Sequence, residues 1–295
     1  MQAIFPESVD GDLLKLVHLS NAFRMVPGAR VLQAGDVCRA EAKISSVTNS
    51  DSGKTVKVNG VIYRNGEPVV EVTSAFLYRG RFTDYANTFE LVDETDYAVE
   101  LQTEAQVGVL QSKEWFHWDD SGSPLYAGTT LIFKTQSQLT YKDSTSFSAV
   151  NVTGAAYIKN QLKQLKKVAT VDSNVEQALG NVVLSYLKRH GKPLGLPTMF
   201  ETGGYTLTST DKPADITAPF TNEPYSKISG DFNPIHINPY FSDYASLPGT
   251  ITHGLWSSAA TRKYVENVVA KGRPERVLAY VLSGIDVEML LTFFG

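Results

Sequence analysis

The chain has 295 residues, 42% hydrophobic and 20% charged, a balance that supports a buried core and excludes a disordered tail. Its formal net charge of −4 supplies no global basic field for nucleic acid or an anionic membrane. Cys38 is the single cysteine, which excludes an intramolecular disulfide and a thiolate-built metal cage and favours a reducing, cytoplasmic setting.

At roughly 150 residues per domain, the length corresponds to about two domains or three small ones. The N-terminal stretch carries acids and Pro6 before its apolar part, unlike the basic start of a signal peptide. No apolar run approaches the ~20 residues of a membrane helix.

Leu13, Leu16, Val17, Ser20 and Phe23 fall near helical spacing, which predicts a short amphipathic helix over 13–25, ended by Pro27-Gly28. Three strands are predicted next, over 36–47, 55–64 and 68–78. The turn clusters between them are Asn49–Gly53 and Asn65-Gly66, the latter a two-residue hairpin signal. The aromatic group Trp115, Phe116 and Trp118 is expected to pack a core. Leu131–Tyr141 alternates as a strand, and residues 146–159 read as another. Residues 174–190 predict a helix with Val175, Leu179, Val182, Val183, Tyr186 and Leu187 on its apolar side, stopped by Gly191. The lysine-bearing run 159–167 reads as a solvated helix face or loop, with an acidic partner as the sharper alternative. His18, His117 and His190 lack a partner pattern and read as structural.

The most distinctive stretch, 225–270, combines a loop rich in Gly, Asn and Pro with a turn at Pro248-Gly249 and a strong helix. Leu255, Trp256, Ala259, Ala260, Tyr264, Val265, Val268 and Val269 predict a broad apolar band on that helix. Gly272 is its expected C′ residue. Asp231 and His236 stand five apart, but Pro234 disfavours helix at Asn233. A folded-back loop is therefore needed to aim both side chains into one pocket, and Gly230 permits the turn. His253-Gly254 opens the helix, where unpaired N–H groups carry positive partial charge. These parts suit proton transfer beside a thioester carbonyl: imidazole as base, carboxyl as acid if burial keeps it protonated, and amide as oxyanion donor. No metal or organic cofactor is required. Without further context, an Asp and a His in a loop are more often turn or surface residues.

Ser229-Gly230-Asp231-Phe232-Asn233-Pro234-Ile235-His236 resembles the signature loop of MaoC-like hot-dog dehydratases and R-specific enoyl-CoA hydratases. The fuller run from Ser229 to Tyr280 is similar to the dehydratase region of the fungal type I fatty acid synthase β subunit. The likeness before residue 205 is weaker. The resemblance implies an α+β fold of tandem hot-dog units, antiparallel sheets wrapped on a central helix. The expected units are a first at 1–104, a middle, non-catalytic one at 105–207, and a MaoC-like one at 208–295, C-terminally incomplete. The pattern breaks after Tyr280, so a fragment of a larger multidomain protein is expected.

The implied reaction is dehydration of (3R)-3-hydroxyacyl to trans-2-enoyl on the phosphopantetheine of acyl carrier protein. The fatty acid synthase α subunit and other β-subunit domains are the implied partners. By position, His236 matches the base and Asp231 the acid. Gly254 matches the oxyanion donor, Asn233 and Ser229 shape the loop, and His253 reads as a pocket wall. The alternatives are an inactive hot-dog scaffold and an R-specific enoyl-CoA hydratase.

Overall fold

The computed structural model describes residues 9, 11–119, 124–144, 146–159, 164–175, 181–195, 216–274, 279–283 and 292–294. Its chain divides into two compact units, one of residues 1–83 with 201–295 and the other of residues 84–200.

The first unit is built on four strands, β1 (Leu16–Met25), β2 (Cys38–Ser50), β3 (Gly53–Arg64) and β4 (Glu67–Arg79). β2, β3 and β4 form an antiparallel meander, and β1 returns to pair with β4. The Asn65-Gly66 hairpin is as predicted. Both residues have positive φ, 54° and 83°, the backbone a tight turn between right-twisted strands demands.

The helix predicted over 13–25 is instead a short 3-10 turn, Leu13–Lys15, followed by β1. A bulge between His18 and Ser20 explains the misreading. The extra residue shifts the side-chain phase, so the buried pairs are Leu16-Val17 and Asn21-Ala22. That spacing imitates a helical stripe although pairing with β4 fixes a strand.

The second unit holds β5 (Phe89–Asp93), β6 (Asp96–Glu100), α1 (Glu104–Gln111), β7 (Phe116–Trp118), β8 (Thr130–Tyr141), β9 (Phe147–Lys159), β10 (Leu165–Val175), α2 (Val182–His190) and β11 (Lys192–Gly195). β8, β9, β10 and β7 are successive antiparallel neighbours, and β5 and β6 both pair with β8. The core gathers Leu110, Trp115, Phe116, Leu131, Phe133 and Leu187, so the aromatic group packs as expected. Asn174 and Val175, expected in a helix, end β10, and residues 176–180 lie outside the described residues. The helix starts only after Asn181, whose side chain accepts from the Val183 N–H at 2.8 Å. Lys166 and Lys167 are exposed on strand β10 and not on a helix or loop.

The remainder of the first unit is helical and then returns to the sheet. It comprises α3 (Glu223–Ser229), a 3-10 turn (Pro234–His236), α4 (Pro239–Tyr244) and α5 (Gly254–Tyr264). A π-helical turn, Val265–Val269, extends α5, and Gly272 has the left-handed φ (73°) expected at its end. β12 (Ala279–Ser283) pairs with the outer side of β1, and β13 (Thr292–Phe294) pairs with β12. The buried residues of α5 are Ser258 and Thr261, followed by Val265, whereas Leu255 and Val268 are exposed. The predicted apolar band is thus shifted. Small polar side chains allow close approach to β1, where the Asn21 amide donates to Ser258 Oγ at 3.4 Å. Antiparallel sheet with few helices is the α+β class expected.

Candidate active site

The site is assembled by a chain of local caps. Asn222 precedes α3, with Pro224 in the first turn, where a missing N–H costs nothing. Gly230 closes α3 with φ 72°, a left-handed stop that favours glycine. Ser229 Oγ donates back to the Tyr225 carbonyl at 2.8 Å and accepts from the Asp231 N–H at 3.2 Å. Asp231 Oδ1 accepts the Asn233 N–H at 3.2 Å. Asn233 Oδ1 in turn accepts from Ile235, starting the 3-10 turn that carries His236. Ile235, 1% exposed, anchors the turn. Asn238 caps α4 in the same way, and an Arg79 guanidinium on β4 donates to the Ala245 carbonyl after it. The folded-back loop required by Pro234 is therefore made of successive Asn, Asp and Ser turns.

This loop brings three titratable groups together. Ligating atoms of Asp231, His236 and His253 all lie within 4.8 Å of one another. The three groups are thus close enough to act on one small ligand group.

The environment of each group differs. His236 Nδ1 is 2.8 Å from the Ile251 carbonyl oxygen. A carbonyl only accepts, so Nδ1 carries the proton, and the neutral ring keeps its lone pair on Nε2. Burial pushes the His236 imidazole below its ordinary value, and the neighbouring His253 pushes the same way. The Ile251 hydrogen bond and the Asp231 charge oppose them. The Asn222 amide donates to both the His236 carbonyl (2.8 Å) and the Ile251 carbonyl (3.0 Å), stapling the loop to the segment before α5.

His253 is 1% exposed. Its Nε2 lies 3.1 Å from the Asp231 carbonyl oxygen, so Nε2 donates there, with Ser226 Oγ at 3.3 Å. Its ring stacks on His236 and meets the Tyr225 ring with centroids 4.9 Å apart. His253 thus ties the loop to the segment that opens α5. The Asp231 carboxylate approaches His253 Nε2 at 3.9 Å and remains 41% exposed, so the burial expected of a protonated acid is not present here. Gly254 is the first residue of α5, and its N–H has no intrahelical acceptor.

Two neighbours of the site, Asn222 and His18, lie outside the stretch 225–270 that the sequence singles out. Asn222 and Tyr225 precede the signature loop, and Asn222 had only a weak signal, a cap-type residue ahead of Pro224. His18 reads as structural from the sequence. It sits on β1, where a methyl built on Gly254 would meet its Nδ1 at 2.9 Å. Nothing local in the sequence joins His18 to a loop more than two hundred residues away.

A separate cavity of about 230 Å³, lined by Leu101, Val109, Tyr186 and His190 among others, lies within the second unit and contains none of these groups.

Three family models match the chain: the FAS1-like dehydratase domain region over 1–72, the insertion domain of the fatty acid synthase β subunit over 89–187, and the MaoC-like domain over 204–283. The fatty acid synthase subunit β of Schizosaccharomyces pombe is 45% identical over 294 residues, 98% of this chain and 14% of that protein. The same subunit of Saccharomyces cerevisiae is 44% identical over 289 residues, again 98% and 14%. A solved structure described as a MaoC-like dehydratase aligns with 96% of this chain and 63% of its own at 13% identity and a TM-score of 0.42. The chain therefore spans about one seventh of the length of these curated relatives. With that identity sustained over nearly its whole length, the chain belongs to the family of the MaoC-like dehydratase region of fungal fatty acid synthase β subunits.

Proposed function

We propose that the first unit carries a hydro-lyase site that converts a (3R)-3-hydroxyacyl thioester, borne on the phosphopantetheine of acyl carrier protein, to the trans-2-enoyl thioester. His236 Nε2 takes the proton from C2. The C–H electron pair forms the C2=C3 bond, the C3–O bond breaks, and Asp231 protonates the departing hydroxyl, which leaves as water. The Gly254 N–H, at the positive end of α5, donates to the thioester oxygen as it gains charge. The proton on His236 then returns to Asp231. No metal is needed for these steps.

The observation that carries this reading is the His236 tautomer. The Ile251 carbonyl holds the proton on Nδ1, which leaves Nε2 as acceptor. Burial keeps the ring neutral near pH 7, as a general base requires. In this reading Ser229 and Asn233 hold the loop in shape, and His253 orients it. Acyl carrier protein, the fatty acid synthase α subunit and the remaining β-subunit domains are the partners proposed.

The exposure of Asp231 also favours a second reading, an inactive scaffold that retains the motif by descent. The purified chain, assayed in both directions with 3-hydroxybutyryl and crotonyl thioesters, separates the two. Loss of about 10²–10⁴-fold in rate in His236→Ala is expected for general base removal. Equal rates in wild type and His236→Ala leave only the scaffold.

A further inference from the structure

His18 lies on β1, and its ring stacks on Phe76 of β4, with centroids 4.5 Å and planes 15° apart. The register of β1 shifts directly after it, between His18 and Ser20, and bulges of this kind are over-represented next to functional sites. A methyl added at Gly254 would stand 2.9 Å from His18 Nδ1 and 3.2 Å from its Cγ, so the ring lies directly against the first residue of α5. Asp231 and His236 both act electrostatically on it. Its Nε2 is buried, with no hydrogen-bond partner among the described residues. A buried polar atom of this kind calls for an explanation, and a ligand group that completes it is one.

We propose that His18 is a further residue of the site, a ring N–H of its imidazole donating to the carbonyl oxygen of the bound acyl thioester beside the Gly254 amide. The inference rests on the dehydratase reading above. An oxygen that becomes enolate-like is best held by two preorganised donors, and the helix terminus alone supplies one. A neutral imidazole suits the second position. It offers an N–H without surrendering the proton to the enolate and without drawing Asp231 into an ion pair. Burial, the largest influence on His18, pushes it below the ordinary histidine value against the raising effects of Asn21, the Ser20 backbone and Asp231, and so favours that neutral form. The stack on Phe76 fixes the ring plane, so the donor need not be reoriented as charge develops.

The test uses the whole chain with 3-hydroxybutyryl-pantetheine as probe and compares wild type, His18→Leu, His18→Phe and His18→Gln. The leucine variant is expected to lose about 10²–10³-fold in kcat, with KM changed by less than about threefold, the pattern of a lost oxyanion donor. The glutamine variant, which keeps an N–H, is expected to recover at least about tenfold of that loss. His18→Phe preserves the stack without the donor and replaces the leucine variant if the latter fails to fold. Comparable kcat in the glutamine and apolar variants, with Asp231→Asn and His236→Ala still inactive, overturns the role of His18 and leaves the dehydratase reading standing. A wild-type chain that neither turns over nor binds the probe overturns both.

Discussion

The His236 and His253 rings lie face to face, with centroids 3.9 Å apart and planes 25° from parallel. The stack couples two elements, the 3-10 turn that ends at His236 and the segment that opens α5. His253 also donates from Nε2 to the Asp231 carbonyl, so one buried ring touches both Asp231 and His236. Replacing His253 by Ala opens a cavity and leaves that carbonyl without its side-chain donor. A loss of about 2–4 kcal/mol is expected by chemical denaturation. His253→Gln keeps a donor and much of the volume, and should recover about half of the stability. Equal stability in wild type and His253→Ala would show that the stack is incidental.

The direction of the histidine shifts makes a prediction about acid. His18 and His236 are both held below the ordinary value of 6.5, chiefly by burial. In the unfolded chain these imidazoles take up protons near that pH, while in the folded chain they do so only at lower pH. Between the two values the unfolded state binds more protons, so stability falls as pH drops. Above about pH 7.5 both states hold neutral rings and the contribution is level. Urea denaturation at pH 5.5 and 7.5 should show lower stability at the acid point, with a smaller difference in His236→Gln. A wild-type stability independent of pH over this window contradicts the burial argument.

The parts of the site that were legible in the sequence were those with short-range logic. Gly230, Asp231, Asn233 and Pro234 each act within a few residues, as turn, cap or constraint, and the loop they predict is the loop observed. The Asn65-Gly66 hairpin was legible for the same reason. The position of β1 was not, because a bulge altered the phase of its buried side chains and only pairing with β4 and β12 decides its conformation. Hiding the strand also hid His18. The buried face of α5 was misjudged because close packing selected Ser258 and Thr261 over the larger apolar residues. In these cases long-range contacts overrode local pattern.

Asn222 tests whether the loop must be tied to the start of α5 for the proposed base, His236, to act. Its amide spans two carbonyls, those of His236 and Ile251, and the Ile251 oxygen also receives the His236 Nδ1 proton. Asn222→Ala leaves the two buried acceptors short of a donor, at a cost of about 1–3 kcal/mol. At this chain length that corresponds to a melting shift of about 2–4 °C per kcal/mol. Turnover should fall further than the population of folded protein does, because the His236 ring loses its fixed orientation. A variant that melts lower but keeps full kcat when folded would make Asn222 a structural staple only.

Gly254 separates packing from chemistry. In a helix, alanine is favoured over glycine by up to about 1 kcal/mol, so Gly254→Ala would stabilise the start of α5 if space allowed. Space does not allow it without movement, since the new methyl would stand 2.9 Å from His18 Nδ1. The expected result is therefore a net loss of stability and a displaced His18 ring. Combining Gly254→Ala with His18→Ser removes the clash and should restore much of the thermal stability. Turnover should stay low, because the double variant has relieved the contact while losing the imidazole. Equilibrium denaturation and steady-state rates on the four members of this cycle give both answers. If the double variant regains activity along with stability, His18 acts on the site only by filling space, and glycine is present at 254 only to make room for it.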